Sequence, residues 1–143
     1  MRSPLLPGLL LAVLTSACVV AAPPPARPVA AGEAHAMRDG FVFLGERGVD
    51  GAVDHDAIHV GKRDGTFREI MIVVERAPVE VFDLVVTFGD GERWEPRTRL
   101  VFGADTTSRR IDLPGTNRFI RRVDFRYGNL VAGTRAKVEL WGR

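Results

Sequence analysis

The residues best suited to chemistry in this sequence are carboxylates and imidazoles grouped between positions 50 and 59. Asp54, Asp56 and His59 are candidate ligands, because such groups bind divalent metals such as Ca²⁺ or Zn²⁺. Along an extended strand, His55 and His59 would lie about 13 Å apart, whereas a helical turn would stack them on one face. The alternative is a polar loop whose aspartates accept backbone hydrogen bonds.

The same segment does not have the spacing of an EF-hand calcium loop. Counted from Asp50, the sixth position is His55 where the loop has glycine, and the twelfth is Gly61 where the loop has glutamate. A calcium- or zinc-binding module, or a metal-dependent enzyme, at the three candidate ligands is therefore the second hypothesis for this chain. Apart from Ca²⁺ at this site, no cofactor is predicted.

Arginine is the second group of chemical interest, concentrated in the C-terminal half. Guanidinium groups donate paired hydrogen bonds to phosphate and carboxylate, and an exposed indole can stack on a sugar. The candidate face for an anion or a glycan consists of Arg97, Arg99, Arg122, Arg126 and Trp94. The alternative is a solvated face, since interleaved acidic residues could pair with these arginines across strands.

Standard catalytic signatures are missing from the sequence. It contains no Gly-x-Ser-x-Gly elbow, phosphate loop, His-Glu-x-x-His motif or dinucleotide glycine motif. The 20 basic residues are nearly balanced by 18 acidic ones, which argues against a dedicated nucleic-acid binder. We therefore predict that the chain is not an enzyme and has no nucleic-acid partner.

Residues 1–18 are predicted to be an export signal. Arg2 precedes a short apolar run, and small residues lead into Cys18, the one cysteine of the chain. This ending resembles the lipobox of bacterial lipoproteins, which implies lipidation of Cys18. The alternative is ordinary signal cleavage, with Cys18 discarded or left unmodified. Lipidation would anchor the chain in a membrane of the cell envelope, facing the periplasm or in the outer membrane.

Residues 19–39 are predicted to be a linker, because their prolines and alanines favour extended backbone that cannot pack. The folded domain is expected to span residues 40–143. Its short apolar runs, separated by turn signals, predict an all-β fold: a single antiparallel β-sandwich, jelly-roll-like, with about eight strands. Without an internal disulfide, its stability must come from its core.

The centre of the predicted sandwich is residues 67–88. Ile70–Val74 is a continuous apolar run. In the following strand, period two places on one face Phe82, Leu84, Val86 and Phe88. The other face carries Val81 and Val85, so this strand is predicted to be covered on both sides. Gly89 and Gly91 then predict a hairpin, and the broken alternation at Ile120 predicts a bulge or a helical turn.

Several phrases resemble a family of small exported bacterial proteins classed as a domain of unknown function, the YaaI-like set. They are Phe43–Arg47, Val53–Ile58, Pro78–Leu84, Phe88–Glu92, Ile111–Gly115, Arg118–Val123 and Val138–Gly142. The resemblance covers the whole region from Phe41 onward and includes no catalytic motif. It implies an exported β-domain and brings no activity.

The first hypothesis is thus a non-enzymatic envelope lipoprotein, bound to the membrane through its lipid and contacting an envelope glycan or a protein partner. A purely structural envelope protein without a ligand is a third hypothesis.

Overall fold

The computed structural model describes residues 31–50, 53–97, 99–128 and 131–143. The predicted export signal with Cys18, and residues 19–30 of the predicted linker, lie outside these residues. The helices are α1 (Ala31–Arg38) and a short 3₁₀ helix (Lys62–Asp64). The strands are β1 (Val42–Val49), β2 (Val53–His59), β3 (Glu69–Glu75), β4 (Val79–Phe88), β5 (Arg93–Trp94), β6 (Leu100–Phe102), β7 (Thr106–Thr107), β8 (Ile111–Asp112), β9 (Ile120–Gly128) and β10 (Ala136–Gly142).

These strands form two antiparallel five-stranded sheets. Sheet A has the order β1-β10-β3, and β3 then pairs with both β7 and β8. Sheet B has the order β2-β9-β4, and β4 then pairs with both β5 and β6. The predicted all-β sandwich is confirmed. The strands number ten instead of eight because the chain between β4 and β9 is divided into four pieces of two or three residues.

The main core lies between the two sheets, and β3 is covered on both faces. Ile70, Ile72 and Val74 belong to this core, whereas Met71 and Val73 belong to a separate apolar cluster on the outer side of sheet A. Every residue from Ile70 to Glu75 is buried. The continuous apolar run of this strand therefore has the double burial that its composition indicates.

The prediction for β4 is wrong on two points: the strand is not covered on both sides, since Val85 on its outer face is only half buried, and Phe82 does not share a face with Leu84. The pairing of β4 with β9 shifts register between Val81 and Asp83, which indicates a bulge at Phe82. The extra residue reverses the alternation, so Val81 is fully buried while Phe82 lies on the outer face beneath two arginines. Leu84, Val86 and Phe88 do face the core.

The predicted irregularity at the start of β9 is a bulge. Thr87 pairs with Arg122, and the next residue, Phe88, pairs with Ile120, so that Arg121 is skipped. Ile120 is buried and Arg121 is exposed. The two adjacent arginines consequently both lie outside the core.

The helix α1 lies within residues 19–39, the predicted linker, so the described part of the chain has regular structure before residue 40. Gly32 allows the helix to approach sheet A, since a Cβ there would lie 2.6 Å from Cγ1 of Val73. The helix ends at Arg38, and Gly40, whose φ is 78°, turns the chain away from it. There the N–H of Phe41 donates to the carbonyl of Ala36 at 3.0 Å, and both side chains join the outer cluster of sheet A.

A buried ion cluster lies between α1 and sheet A. The Lys137 ammonium, whose side chain is 6% exposed, contacts carboxylates of Glu75 (2.6 Å), Glu33 (3.3 Å) and Glu139. The indole N–H of Trp141 donates to Glu139 at 3.0 Å. Burial raises the pKa of Glu139 above its ordinary value. We call these four charged residues the Lys137 cluster.

We expect Lys137→Met to lower the free energy of unfolding by about 3–5 kcal/mol, because it removes the cation from buried carboxylates. Urea denaturation measures the loss. Glu46→Gln is the matched control. Glu46 contacts the same ammonium at 3.5 Å, but its side chain is half exposed, so its removal should cost less than about 1 kcal/mol.

The loss of unfolding free energy caused by Lys137→Met, its deficit relative to the wild type, should also depend on pH. Without the ammonium, the pKa values of the buried carboxylates rise further above those of the unfolded chain. The folded state then binds more protons, and stability falls as pH rises through the folded-state pKa. The deficit should thus shrink between pH 7 and pH 5. If Lys137→Met lost no more unfolding free energy than Glu46→Gln, the Lys137 ammonium would not be what stabilises these buried carboxylates.

Candidate anion-binding site

The structure does not bring the predicted metal ligands together. Residues 53–59 form an extended strand, so successive side chains alternate between faces. Asp54 and Asp56 lie on the side of the buried Ile58, whereas His59 is exposed on the opposite side. His55 and His59 face the same way but are four residues apart along the strand.

Each of the two aspartates instead accepts a hydrogen bond from another residue of the domain. The Tyr127 hydroxyl is fully buried within the core and donates to a carboxylate oxygen of Asp56. Burial, followed by this hydrogen bond, raises the pKa of Tyr127 well above its ordinary value. Asp54 accepts a hydrogen bond from the N–H of His55 at 2.8 Å.

Another carboxylate group has the compactness of a cation site. Oxygens of Glu33, Glu75 and Glu139 lie within 4.8 Å of one another. The Lys137 ammonium contacts all three carboxylates and supplies the cation at this place. The ion pairs with Lys137, which attach α1 to sheet A, therefore explain why these carboxylates lie close together.

The residues of the predicted anion or glycan face lie in four different places. Trp94 is half buried and packs against the main core, so it is not a free stacking surface. Arg97 is exposed in the loop after β5. Arg99 and Arg126 lie over the Phe82 ring at 5.3 and 5.7 Å. Both of the last two are paired, Arg99 with Glu80 and Arg126 with Asp83.

The fifth residue of that face, Arg122, belongs to a row of polar side chains that crosses sheet B. Strand pairing places Arg122 opposite His59 of β2 on one side and opposite Thr87 of β4 on the other. Thr87 in turn pairs with Arg93 of β5. The bulge at Arg121 adds a second arginine beside Arg122. We call His59, Thr87, Arg93, Arg121 and Arg122 the cationic row.

The cationic row lines a groove of about 330 Å³. Arg122 donates from Nε to the buried carboxylate of Asp124 at 2.9 Å. Within the described part of the chain, Arg93 and Arg121 form no ion pair with a carboxylate. The groove thus presents three guanidinium groups, one imidazole and one hydroxyl against a single negative charge. Such a set of donors suits phosphate, sulfate or carboxylate.

The predicted anion or glycan face includes Arg122 of this row but not Arg93 or Arg121. Arg93 follows the Gly89–Gly91 hairpin, which folds it back beside Thr87, and Arg121 is the residue of the predicted bulge. Both signals are local. His59 was assigned to a metal instead, because its neighbour in space, Arg122, is distant in sequence.

A family model matches residues 9–142, nearly the whole chain, and describes a domain of unknown function, DUF2541. The chain belongs to this family. The match confirms the resemblance to a family of unknown function and extends over residues 9–18 of the predicted export signal. The YaaI-like relationship stays a prediction. Neither the curated proteins nor the solved structures include a match to this chain.

The DUF2541 family carries no known activity, so the function must be inferred from the groove itself. No helix among the residues described above is long and apolar enough to cross a membrane.

In this DUF2541 domain, we expect Asp56→Ala to lower the free energy of unfolding by about 1–3 kcal/mol, because it leaves a buried tyrosine hydroxyl without an acceptor. Asp54→Ala is the control, and its effect should stay within about 0.5 kcal/mol. Thermal or urea denaturation compares the two variants. Equal effects would show that the bond to Tyr127 is not what Asp56 contributes.

Proposed function

We propose that this protein is a non-enzymatic binding module of the cell envelope, which holds an anionic ligand in the groove of the cationic row. The observation that carries the proposal is the pair Arg93 and Arg121. They lie on the same groove as Arg122, and no carboxylate of a described residue neutralises either one.

Repulsion between the arginines of the cationic row favours a bound anion here over a face that contacts only water. Like charges on neighbouring strands repel one another, and a solvated sheet face usually relieves this by alternating signs. In the arginine pair over Phe82, Arg99 and Arg126, the positive charges are balanced by ion pairs with Glu80 and Asp83. An anion bound between the guanidinium groups of the cationic row would replace repulsion with charge-assisted hydrogen bonds.

The chemistry of the groove suits binding more than turnover. Guanidinium groups stay protonated and donate hydrogen bonds, but they do not exchange protons at neutral pH. The carboxylate nearest to them, Asp124, is 6% exposed and accepts a bond from Arg122. A general base within reach of a bound anion would have to be His59 alone.

Export and lipidation are part of the proposal. Support comes from the small residues before Cys18 and from the family match, which includes residues 9–18. The fold adds a geometric argument. Gly32 approaches Val73 and Thr107 near the end of β3, whereas the Phe67–Arg118 bridge places the start of β3 at the same end of the sandwich as the groove. A chain anchored at Cys18 would therefore enter the domain at the end opposite to the groove.

A metabolic label tests the anchor. We expect an alkyne analogue of palmitate to be incorporated into the wild-type chain, and Cys18→Ser to abolish the label and release the protein from membranes. Equal labelling of the two proteins, or none in either, would contradict lipidation at Cys18.

Anion binding is tested on the chain from residue 19 onward. We expect pyrophosphate to shift the backbone amide resonances of Thr87, Arg93, Arg121 and Arg122 in heteronuclear NMR spectra. Arg93→Ala/Arg121→Ala should weaken binding at least tenfold, because it removes the unpaired guanidinium groups.

Arg99→Ala/Arg126→Ala is the matched control for that experiment. It also removes two positive charges, but these lie outside the groove. Its affinity for pyrophosphate should therefore match that of the wild type. Equal losses in both double variants would indicate unspecific attraction by net charge. An absence of any shift in the wild type would refute the groove as an anion site.

A further inference from the structure

An exposed aromatic ring stands next to the cationic row. Phe119 precedes β9 and is 44% exposed, although the residue after it, Ile120, is buried. One cavity beside the ring, of about 220 Å³, also has Arg121 in its wall. Arg121 lines the cationic groove as well, so the groove and this cavity adjoin the same side chain.

A second cavity, of about 400 Å³, is lined by Phe119 together with Phe88, Asp90, Asn117 and Arg118. The Arg118 guanidinium lies 3.7 Å from the centre of the Phe88 ring and is bound by Asp90 and Glu92, at 2.7 Å each. Arg118 therefore forms part of the wall and is not a free cation.

The backbone beneath the ring is held in place by the β4–β5 hairpin. The N–H of Gly89 donates to the carbonyl of Phe119 at 2.8 Å. A Cβ at Gly89 would lie 3.1 Å from the Cβ of Phe119, so glycine permits this close approach. The ring is thus presented on a supported backbone and would lose little freedom on binding.

The rim of these cavities carries groups that both donate and accept hydrogen bonds. The N–H of Glu92, and then the Arg118 guanidinium, keep the pKa of Asp90 below its ordinary value, so its carboxylate is an ionised acceptor. Asn117 offers an amide, and Lys62, which lines both cavities, offers an ammonium.

We propose that the ligand of the cationic row is an anionic saccharide: one sugar ring stacks on Phe119 while its phosphate or carboxylate binds Arg121 and its neighbours. This inference rests on the proposed function and specifies the class of ligand. A pyranose has an apolar face of C–H groups and a rim of hydroxyls, which matches an aromatic ring beside Asp90, Asn117 and Lys62.

A fatty acyl chain fits the same surface less well. It could cover Phe119, but it would offer no hydrogen bond to Asp90 or Asn117 while displacing water from them. An alkyl phosphate and a sugar phosphate carry the same anionic group. A difference between their affinities therefore reports the contribution of the alkyl chain or of the sugar ring.

The experiment measures dissociation constants by NMR titration with glucose 1-phosphate, inorganic phosphate, glucose and dodecyl phosphate below its micellar concentration. In the wild type, glucose 1-phosphate should bind at least tenfold more tightly than inorganic phosphate. Phe119→Ala should reduce the affinity for glucose 1-phosphate to that for phosphate, and leave the phosphate affinity unchanged. Phe43→Ala, which removes a similarly exposed ring from sheet A, should change neither.

Arg93→Ala/Arg121→Ala should weaken the binding of both phosphate compounds. If glucose 1-phosphate and phosphate bind the wild type equally, the sugar assignment is wrong and the anion site stands. If dodecyl phosphate binds more tightly than glucose 1-phosphate and depends on Phe119, the occupant is an acyl chain and the sugar assignment is again wrong. If neither phosphate compound binds, the proposed function itself fails.

Discussion

One extra residue in β9 decides what the solvent face of sheet B presents. Strand side chains alternate strictly, so an unbroken strand could not place both Arg121 and Arg122 outside the core while keeping Ile120 and Val123 inside. The bulge permits this, and it lies opposite the point where Thr87 gives way to Phe88. The cost is a disrupted ladder at one position. The result is a concentration of guanidinium groups where regular pairing would have allowed one.

The outer face of sheet A is organised by a different constraint. Three glutamates and a lysine lie in an interface that also buries Met71 and Trp141. Buried ion clusters add little net stability relative to apolar packing, because desolvation offsets their attraction. They are, however, demanding in geometry. The Lys137 cluster therefore fixes where α1 sits, and with it the end of the sandwich at which the preceding chain enters.

The parts of this fold that depend on local pattern could be predicted from the sequence, and those that depend on distant partners could not. The Gly89–Gly91 hairpin, the buried run of β3 and the irregularity at Ile120 are local signals. The helix α1 was missed because its alanines and glycine continue the composition of the segment before it. The outward position of Phe82 was missed because nothing around this residue marks a bulge, which is set by pairing with β9. The cationic row joins β2, the β4–β5 hairpin and β9, which are distant from one another in sequence, so no spacing within the chain could assemble it.

The two arginine groups of sheet B provide an internal comparison that bears on function. Around Phe82, each guanidinium has a carboxylate partner and a ring beneath it, which is the arrangement of a self-sufficient surface. At the other end, Arg93 and Arg121 share a groove with Arg122, and Arg121 also borders the supported ring of Phe119. Arg122 is paired with Asp124, but no described carboxylate pairs with Arg93 or Arg121. The anion-binding proposal rests on this difference between the two arginine groups, because a bound anion would supply the charge that the described residues do not.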